Sequence, residues 1–372
     1  MIIFVSADFI VTKESEQRSN VRWLFDFLQR PLNVAPSICV HRLLSGFRGE
    51  ERFDRSEFFR RSGIEVDRFT THFDFNPEII TDESVSYLQD AIGKEVCIVG
   101  YELSDATRSI LNRAGIFYID IWLGPLRYLD DVYFAVKSSD AAIQSEVKRF
   151  EPPEELFYMH ADRLRVQNYR GFKRGCGVFK PNSAVFVGQT LSDKALCRNS
   201  TMLTILNFKD DFIQLRKDHA HVYYSRHPFL KSGDEKELAF VKSFNNVSVV
   251  DTPAYEMLSS AEISTVATIS SSVATEAKYF GKVHKFFYRP PVDIDYTQER
   301  RYSTVGQPLF TRHFWSEVLR PKIDTLHFPP VSFESPKDKI RDTLAFYWGY
   351  RNIDKLESLK ITVSKLLVNP TK

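Results

Sequence analysis

The chain has 372 residues, 43% hydrophobic and 26% charged, a balance that supports buried cores and excludes a mainly disordered protein. Fifty Lys and Arg against 48 Asp and Glu leave a formal charge of +2, which excludes a general nucleic-acid binder. With 31 Phe and 16 Tyr but only 15 Gly, aromatic-packed cores are favoured over a glycine-rich phosphate loop, and a dehydrogenase is excluded for want of a G-x-G-x-x-G fingerprint.

The chain opens on Met-Ile-Ile-Phe-Val-Ser-Ala-Asp, which has no basic lead and meets an acid at Asp8; it reads as a first strand rather than a signal peptide. Strands are expected at Ile2–Ser6, Glu95–Gly100, Ile116–Ile121, Ser183–Val187, Val222–Ser225, Val247–Val250, Thr265–Ile269 and Val283–Phe287. Helical spacing lies between them at Val21–Gln29, Ser104–Ala114, Thr201–Leu215, Glu235–Phe244 and Ser272–Phe280. Such alternation predicts an α/β fold with parallel sheets covered by helices on both faces. Glu151-Pro-Pro-Glu-Glu155 and the polar, Arg-rich stretch to Pro181 break the rhythm, so a domain boundary is expected there. The division is a Rossmann-like unit over 1–165, a second over 166–308, and closing helices over 309–372, among them Leu309–Leu319, Lys337–Tyr347 and Ile353–Leu367. Beyond Pro291 no strand is expected. Two such units facing a cleft describe a GT-B glycosyltransferase, and also other two-domain α/β proteins.

Cys39, Cys97, Cys176 and Cys197 are widely spaced with no CxxC pair, which suits reduced thiols in a cytoplasmic protein better than a disulfide framework or a zinc site. No apolar run approaches the roughly 20 residues of a membrane span.

In open α/β sheets ligands bind beyond the carboxyl ends of the strands, so those ends hold the candidates. After Gly188 comes Gln189-Thr-Leu-Ser-Asp193, where Asp193 is either a helix cap or a carboxylate pointing into the cleft. Tyr224-Ser-Arg-His-Pro228 follows the next strand; Pro228 fixes the turn, and His227 beside Arg226 can donate to a phosphate or sit as an ordinary loop histidine. His219 and His221, two apart, could hold a metal, but no third ligand accompanies them. Ser270, Ser271 and Ser272 stand at a strand-to-helix junction, where hydroxyls and free N–H groups suit an anion; a plain serine cap needs only one. Glu276, one turn on, grips a ribose hydroxyl or is an ordinary exposed helix residue; a capping box fails because Val273 stands where Ser or Thr is required. Earlier in the chain, Glu102 ends a strong strand, and Asp120 and Arg127 flank Gly124-Pro-Leu; Glu102 can also be a cap and Asp120 a partner for Arg127.

The order Gly188-Gln189-x-x-x-Asp193, His227-Pro228, then Ser270-Ser271-Ser272 with Glu276-Ala277 resembles the bacterial retaining β-Kdo transferases of capsule and O-antigen assembly, relatives of sialyltransferases that use CMP-activated sugars. Gly100-Tyr-Glu102 and Gly124-Pro-Leu-Arg127 look like that family's first domain, and the likeness covers most of residues 95–290. It implies a GT-B fold, CMP-β-Kdo as donor, a glycan or lipid-linked oligosaccharide as acceptor, no cofactor and no metal. It further implies Asp193 as nucleophile, Glu102 as acid/base, His227 and the serines on the leaving phosphate, and Glu276 near the ribose or base. Gln189 belongs to the same motif, and Arg127 or Arg226 would pair with the Kdo carboxylate. Ala274 and Thr275 replace the family's glycine and phenylalanine, and Arg226 replaces a proline before the histidine. These departures keep open a sialyl or other nonulosonate transferase, and a non-catalytic glycan-binding module of the same fold. A lipid-linked acceptor would place the enzyme at the cytoplasmic face of the inner membrane. Lys355, Lys360 and Lys365 could then touch headgroups, or simply line a solvated helix face.

Overall fold

The computed structural model describes residues 1–44, 53–66, 75–172, 179–190, 194–198, 201–227, 230, 232–299, 301–333 and 339–341. Its first half is built on β1 (Ile2–Ala7), α1 (Glu14–Leu28), β2 (Cys39–Leu43), α2 (Arg55–Arg60), α3 (Asp82–Ile92), β3 (Val96–Tyr101), α4 (Asp105–Arg113), β4 (Phe117–Leu123), β5 (Phe134–Ser138) and α5 (Ala141–Lys148). β1 is buried at five of its six positions because helices cover both faces, which is why its sequence runs apolar rather than alternating. The sheet runs β2-β1-β3-β4-β5, parallel through β4, with β5 antiparallel at its edge.

α6 (Glu155–Phe172) leads into the second half, so the polar stretch after Pro152-Pro153 begins as a helix. There β6 (Ser183–Val187), the short antiparallel pair β7 (Cys197–Arg198) and β8 (Thr201–Met202), α7 (Lys209–Asp218), β9 (His221–Ser225), α8 (Glu235–Lys242) and β10 (Val247–Val250) come first. α9 (Ala254–Ser259), β11 (Ile263–Thr268), α10 (Val273–Tyr279) and β12 (Val283–Phe286) complete it. The strand order β10-β9-β6-β11-β12, parallel throughout, is that of a doubly wound sheet. The helix expected over Thr201–Leu215 is broken up: Thr204 and Asn207 form a reciprocal cap on a 3-10 turn, and α7 starts only at Lys209.

The chain then returns. β13 (Ser303–Val305), a strand with no apolar run to announce it, pairs antiparallel with β5 and extends the first sheet to six strands. α11 (Arg312–Leu319) follows, with Phe314, Trp315, Val318 and Leu319 buried against Trp23, Phe134 and Val136 of the first half. Two Rossmann-like halves facing a cleft, with a terminal helix folded back on the first, make a GT-B architecture. The halves share an apolar junction: Leu126, Tyr128 and Ala135 pack with Phe157 of α6 and with Val185, Val266, Tyr279 and Phe280 of the second half. Most of the expected helix Lys337–Tyr347 and all of Ile353–Leu367 lie outside the described residues, as do Lys355, Lys360 and Lys365.

Candidate active site

β6 sits between β9 and β11, so the segments leaving these three strands emerge side by side where the winding reverses. Gly188 lets the first turn pass close to its neighbours. Its N–H donates to the Ser225 carbonyl at 2.8 Å, and a Cβ there would lie 3.2 Å from both that carbonyl and the Tyr224 hydroxyl. Gln189 then reaches across the crevice to β11's end: its Oε1 accepts from the Ser270 N–H at 2.8 Å, and its Nε2 donates to Ser270 Oγ at 3.2 Å. Thr268 Oγ1 donates to the Val187 carbonyl at 3.0 Å and Ser270 Oγ to the Ala195 carbonyl at 3.0 Å, closing the same seam. Ser271 Oγ accepts from the Val273 N–H at 3.4 Å, whereas Ser272, at the cap position itself, makes no side-chain cap bond.

Beyond β9 the two basic residues diverge. The Arg226 guanidinium is held bidentate by the buried Asp234, at 2.8 and 2.6 Å, so its fork is already occupied by a carboxylate. His227 is half-buried on the next residue, and its carbonyl accepts from the Leu230 N–H at 3.0 Å. Asp193 and Pro228 lie outside the described residues. His219 bonds the Leu215 carbonyl and Thr265 Oγ1, both at 2.8 Å, while His221 bonds Ser248 Oγ at 2.9 Å; the pair turns to different partners. Among the described residues no three His, Cys, Asp or Glu side chains gather as a metal site.

Glu276 and Arg127, both expected at the donor, meet each other. Glu276 is 1% exposed on α10, and its Oε1 accepts from the Arg127 peptide N–H at 2.5 Å and from the Tyr255 hydroxyl at 3.0 Å. Burial pushes its carboxyl up to about 7, against the pull of these donors. The contact clips the second half to the Gly124–Arg127 segment of the first. Gly124 is required in that segment because a Cβ would stand 2.5 Å from the Tyr133 carbonyl.

In the first half the winding reverses between β1 and β3. Glu102, directly after β3, has φ +54°, a left-handed conformation that costs a non-glycine residue about 1–2 kcal/mol. Its N–H is fixed by the Ile121 carbonyl at 2.9 Å. Across from it, Asp8 at the end of β1 is 1% exposed and accepts from Ser104 N–H at 2.7 Å and Thr107 Oγ1 at 2.5 Å, docking the start of α4. Asp120 is fully buried and takes four donors: Leu103 N–H (2.9 Å), Arg108 Nη1 (2.6 Å), Trp122 Nε1 (3.0 Å) and the Tyr302 hydroxyl (2.7 Å). Its cationic partner is therefore Arg108, one helical turn into α4, and not Arg127. Burial works against the Arg108 charge, but Asp120, Tyr302 and Asp105 outweigh it and hold the guanidinium above its ordinary pKa.

Between the halves lies a cavity of about 110 Å³. Leu103, Asp105, Arg108 and Trp122 line it from the first half, and Ala195, Cys197, Tyr288, Arg289, Pro290 and Pro291 from the second. The residues that shape it (Asp105, Arg108, Trp122, Arg289 and, behind them, Asp8 and Tyr302) carry no motif of their own. Their one signal in sequence is position, and only for half of them: Asp105, Arg108 and Trp122 follow the strand ends at Glu102 and Asp120 already singled out, whereas Asp8, Arg289 and Tyr302 follow none of these.

Neither a protein-family profile nor a curated protein sequence matches the chain. Among solved structures, the Thermosulfurimonas dismutans KpsC β-Kdo 2,7 transferase is similar over 87% of this chain and 99% of its own, at 13% identity and a TM-score of 0.38. The β-Kdo 2,4 transferase of the same organism's KpsC is similar over 76% and 78%, at 14% identity and a TM-score of 0.34. The fold assignment rests on the sheet order and connectivity described above.

Proposed function

We propose that the chain is a retaining glycosyltransferase that moves Kdo from CMP-β-Kdo to a glycan or lipid-linked oligosaccharide acceptor. The observation that carries this reading is the convergence of Gln189, Arg226–His227 and Ser270–Ser272 on three neighbouring strand ends at the point where the second sheet reverses its winding. Three motif segments spread over more than 80 residues of sequence meet at the place where an α/β sheet binds a nucleotide. The position of Glu102 at the corresponding reversal of the first sheet supports a cleft with one carboxylate on that side.

In this reading the Asp193 carboxylate attacks the anomeric carbon of the donor, and the bond to the CMP phosphate breaks. His227 and Ser272, at the start of α10, meet the charge gathering on the departing phosphate, since the Ser270 N–H is taken by Gln189 and the Ser271 N–H by Thr268 Oγ1. The acceptor hydroxyl then displaces Asp193, giving its proton to Glu102, so two inversions produce net retention. No metal or cofactor enters these steps. Glu276, clipped to Arg127, serves by fixing the two halves beside the donor. The work would be done in the cytoplasm, at the inner membrane where the acceptor is lipid-linked.

The test is the intact mass of the purified chain mixed with CMP-Kdo generated in place, beside CMP-sialic acid. A gain of one Kdo unit that disappears in Asp193→Ala is the expected result. An adduct with sialic acid alone moves the assignment to another CMP-activated nonulosonate. No adduct with either donor and no binding of CMP ends the enzymatic reading in favour of a glycan-binding module.

A further inference from the structure

The cavity between the halves has an arrangement that the transfer reading does not use. Two guanidinium groups from opposite halves converge on one carboxylate: Asp105, at the start of α4, accepts from Arg108 one turn on and from Arg289, which arrives from the segment after β12. The two arginines differ in how they are held. Arg108 is fixed from behind by the buried Asp120 and by the Tyr302 hydroxyl, with 16% of its side chain exposed. Arg289 and Asp105 are open, 68% and 52% exposed. An exposed pair of this kind contributes on the order of 0–1 kcal/mol, so a second carboxylate can take Asp105's place at little cost.

We propose that this cavity binds the carboxylate of an acidic sugar, with Arg289 as the guanidinium that selects it, Arg108 as a fixed positive neighbour, and Asp105 as an internal competitor for the same donors. The inference deepens the transferase reading by naming where the sugar's acidic group is recognised, and rests on that reading only for which sugar acid it is. Guanidinium forks match carboxylates in a bidentate way. The Trp122 indole, anchored through its Nε1 to Asp120 at 3.0 Å, and the Tyr288, Pro290 and Pro291 wall offer flat apolar surface to the C–H face of a sugar ring. A volume of about 110 Å³ is that of roughly four waters, enough for a carboxylate and its attached carbons. The cavity adjoins both candidate reaction sites. Ala195 lines it and accepts from Ser270 Oγ at 3.0 Å, while Leu103 and Ser104 continue directly from Glu102. Arg226, the alternative carboxylate partner, is bound to a buried aspartate and is the poorer candidate.

The test measures binding of free Kdo, Kdo methyl ester, N-acetylneuraminate and, separately, CMP, by calorimetry and by tryptophan fluorescence, to which Trp122 reports. The expected result is that Kdo or N-acetylneuraminate binds the wild-type chain and the methyl ester binds at least ten-fold more weakly. Arg289→Gln should lose the same factor for the acid while keeping its affinity for CMP. Asp105→Asn, which removes the competing charge, should bind the acid several-fold more tightly. Equal binding of acid and ester, or an acid affinity untouched by Arg289→Gln, or no binding of either acid, overturns the proposal. CMP binding without discrimination for the acid overturns this site and leaves the nucleotide-sugar reading standing. Discrimination for the acid without CMP binding does the reverse.

Discussion

Gln189 and Ser270 hold each other across the reversal point of the second sheet through two hydrogen bonds, one to the backbone and one to the hydroxyl. A side chain from β6's end thus fixes the loop that leaves β11. Gln189→Ala leaves the Ser270 N–H without this acceptor, a loss of about 1–3 kcal/mol. Urea unfolding should show it, and CMP affinity should fall at the same time, because the serines lose their anchor. Unchanged stability would mean that solvent replaces the carboxamide.

Glu276 sets a pH dependence. Its carboxyl is shifted from 4.5 to about 7 in the folded chain by burial. Between those values the folded chain holds a proton that the unfolded chain has released, so stability falls as pH rises through this window and levels off above it. Integrated, the loss is on the order of 3 kcal/mol. In Glu276→Gln that slope should vanish between pH 5 and 7 in paired denaturation curves, since the amide keeps an acceptor for the Arg127 N–H and cannot ionise.

Arg108→Met leaves the Asp120 carboxylate buried without its cation. Breaking a buried pair from one side costs about 3–5 kcal/mol. Tyr302→Phe removes one of the four donors and should cost about 1–3 kcal/mol. Thermal or urea unfolding should therefore rank the two variants in that order, and the reverse order would mean that the hydroxyl rather than the guanidinium sustains the charge.

Glu102 stores backbone strain where the transfer reading needs a base. Glu102→Gly relieves the +54° φ and should raise stability by about 1 kcal/mol while abolishing transfer to the acceptor. A variant as unstable as, or less stable than, the parent would show that its side-chain contacts outweigh the strain.

Gly100 lies beneath Leu103, whose side-chain carbons would stand 2.5–2.7 Å from a Cβ at that position. Gly100→Ala should therefore cost about 1–3 kcal/mol through overpacking and shift the turn that carries Glu102. Circular dichroism melts check the first effect, and transfer assays the second.

The long apolar strands were legible in sequence because central parallel strands, buried on both faces, announce themselves as runs: β6 matches its expected bounds, and β1, β3 and β4 differ by a residue or two; β10, a half-buried edge strand, also matches. Five strands were not legible, of which β7 and β8 are only two residues each. β2 sits at an edge and reads Cys-Val-His-Arg-Leu with only Leu43 buried; β5 is short and antiparallel; β13 is three residues of Ser-Thr-Val. β2 and β13 gain their places from a neighbour far along the chain rather than from their own pattern. α6 was hidden because its exposed, Arg-bearing face looks like a linker and its prolines precede its start. Of the candidate site, the strand-end residues were legible by topology alone. The Asp8–Thr107 contact joins residues 99 apart, and the Asp120–Tyr302 contact residues 182 apart, so local spacing carries no trace of either.

Because β13 brings the chain back to pair with β5 after the second half is complete, the two halves are tied by two covalent crossings, one through α6 and one through the segment before Ser303. A body fastened at two points cannot swing freely as one on a single tether does. Together with the buried junction of Leu126, Tyr128 and Phe157 with Tyr279 and Phe280, the two fastenings restrain one half against the other more than a single tether would. A single cut near α6 leaves β13 on the fragment that carries the second half, and so strips the first sheet of its edge strand.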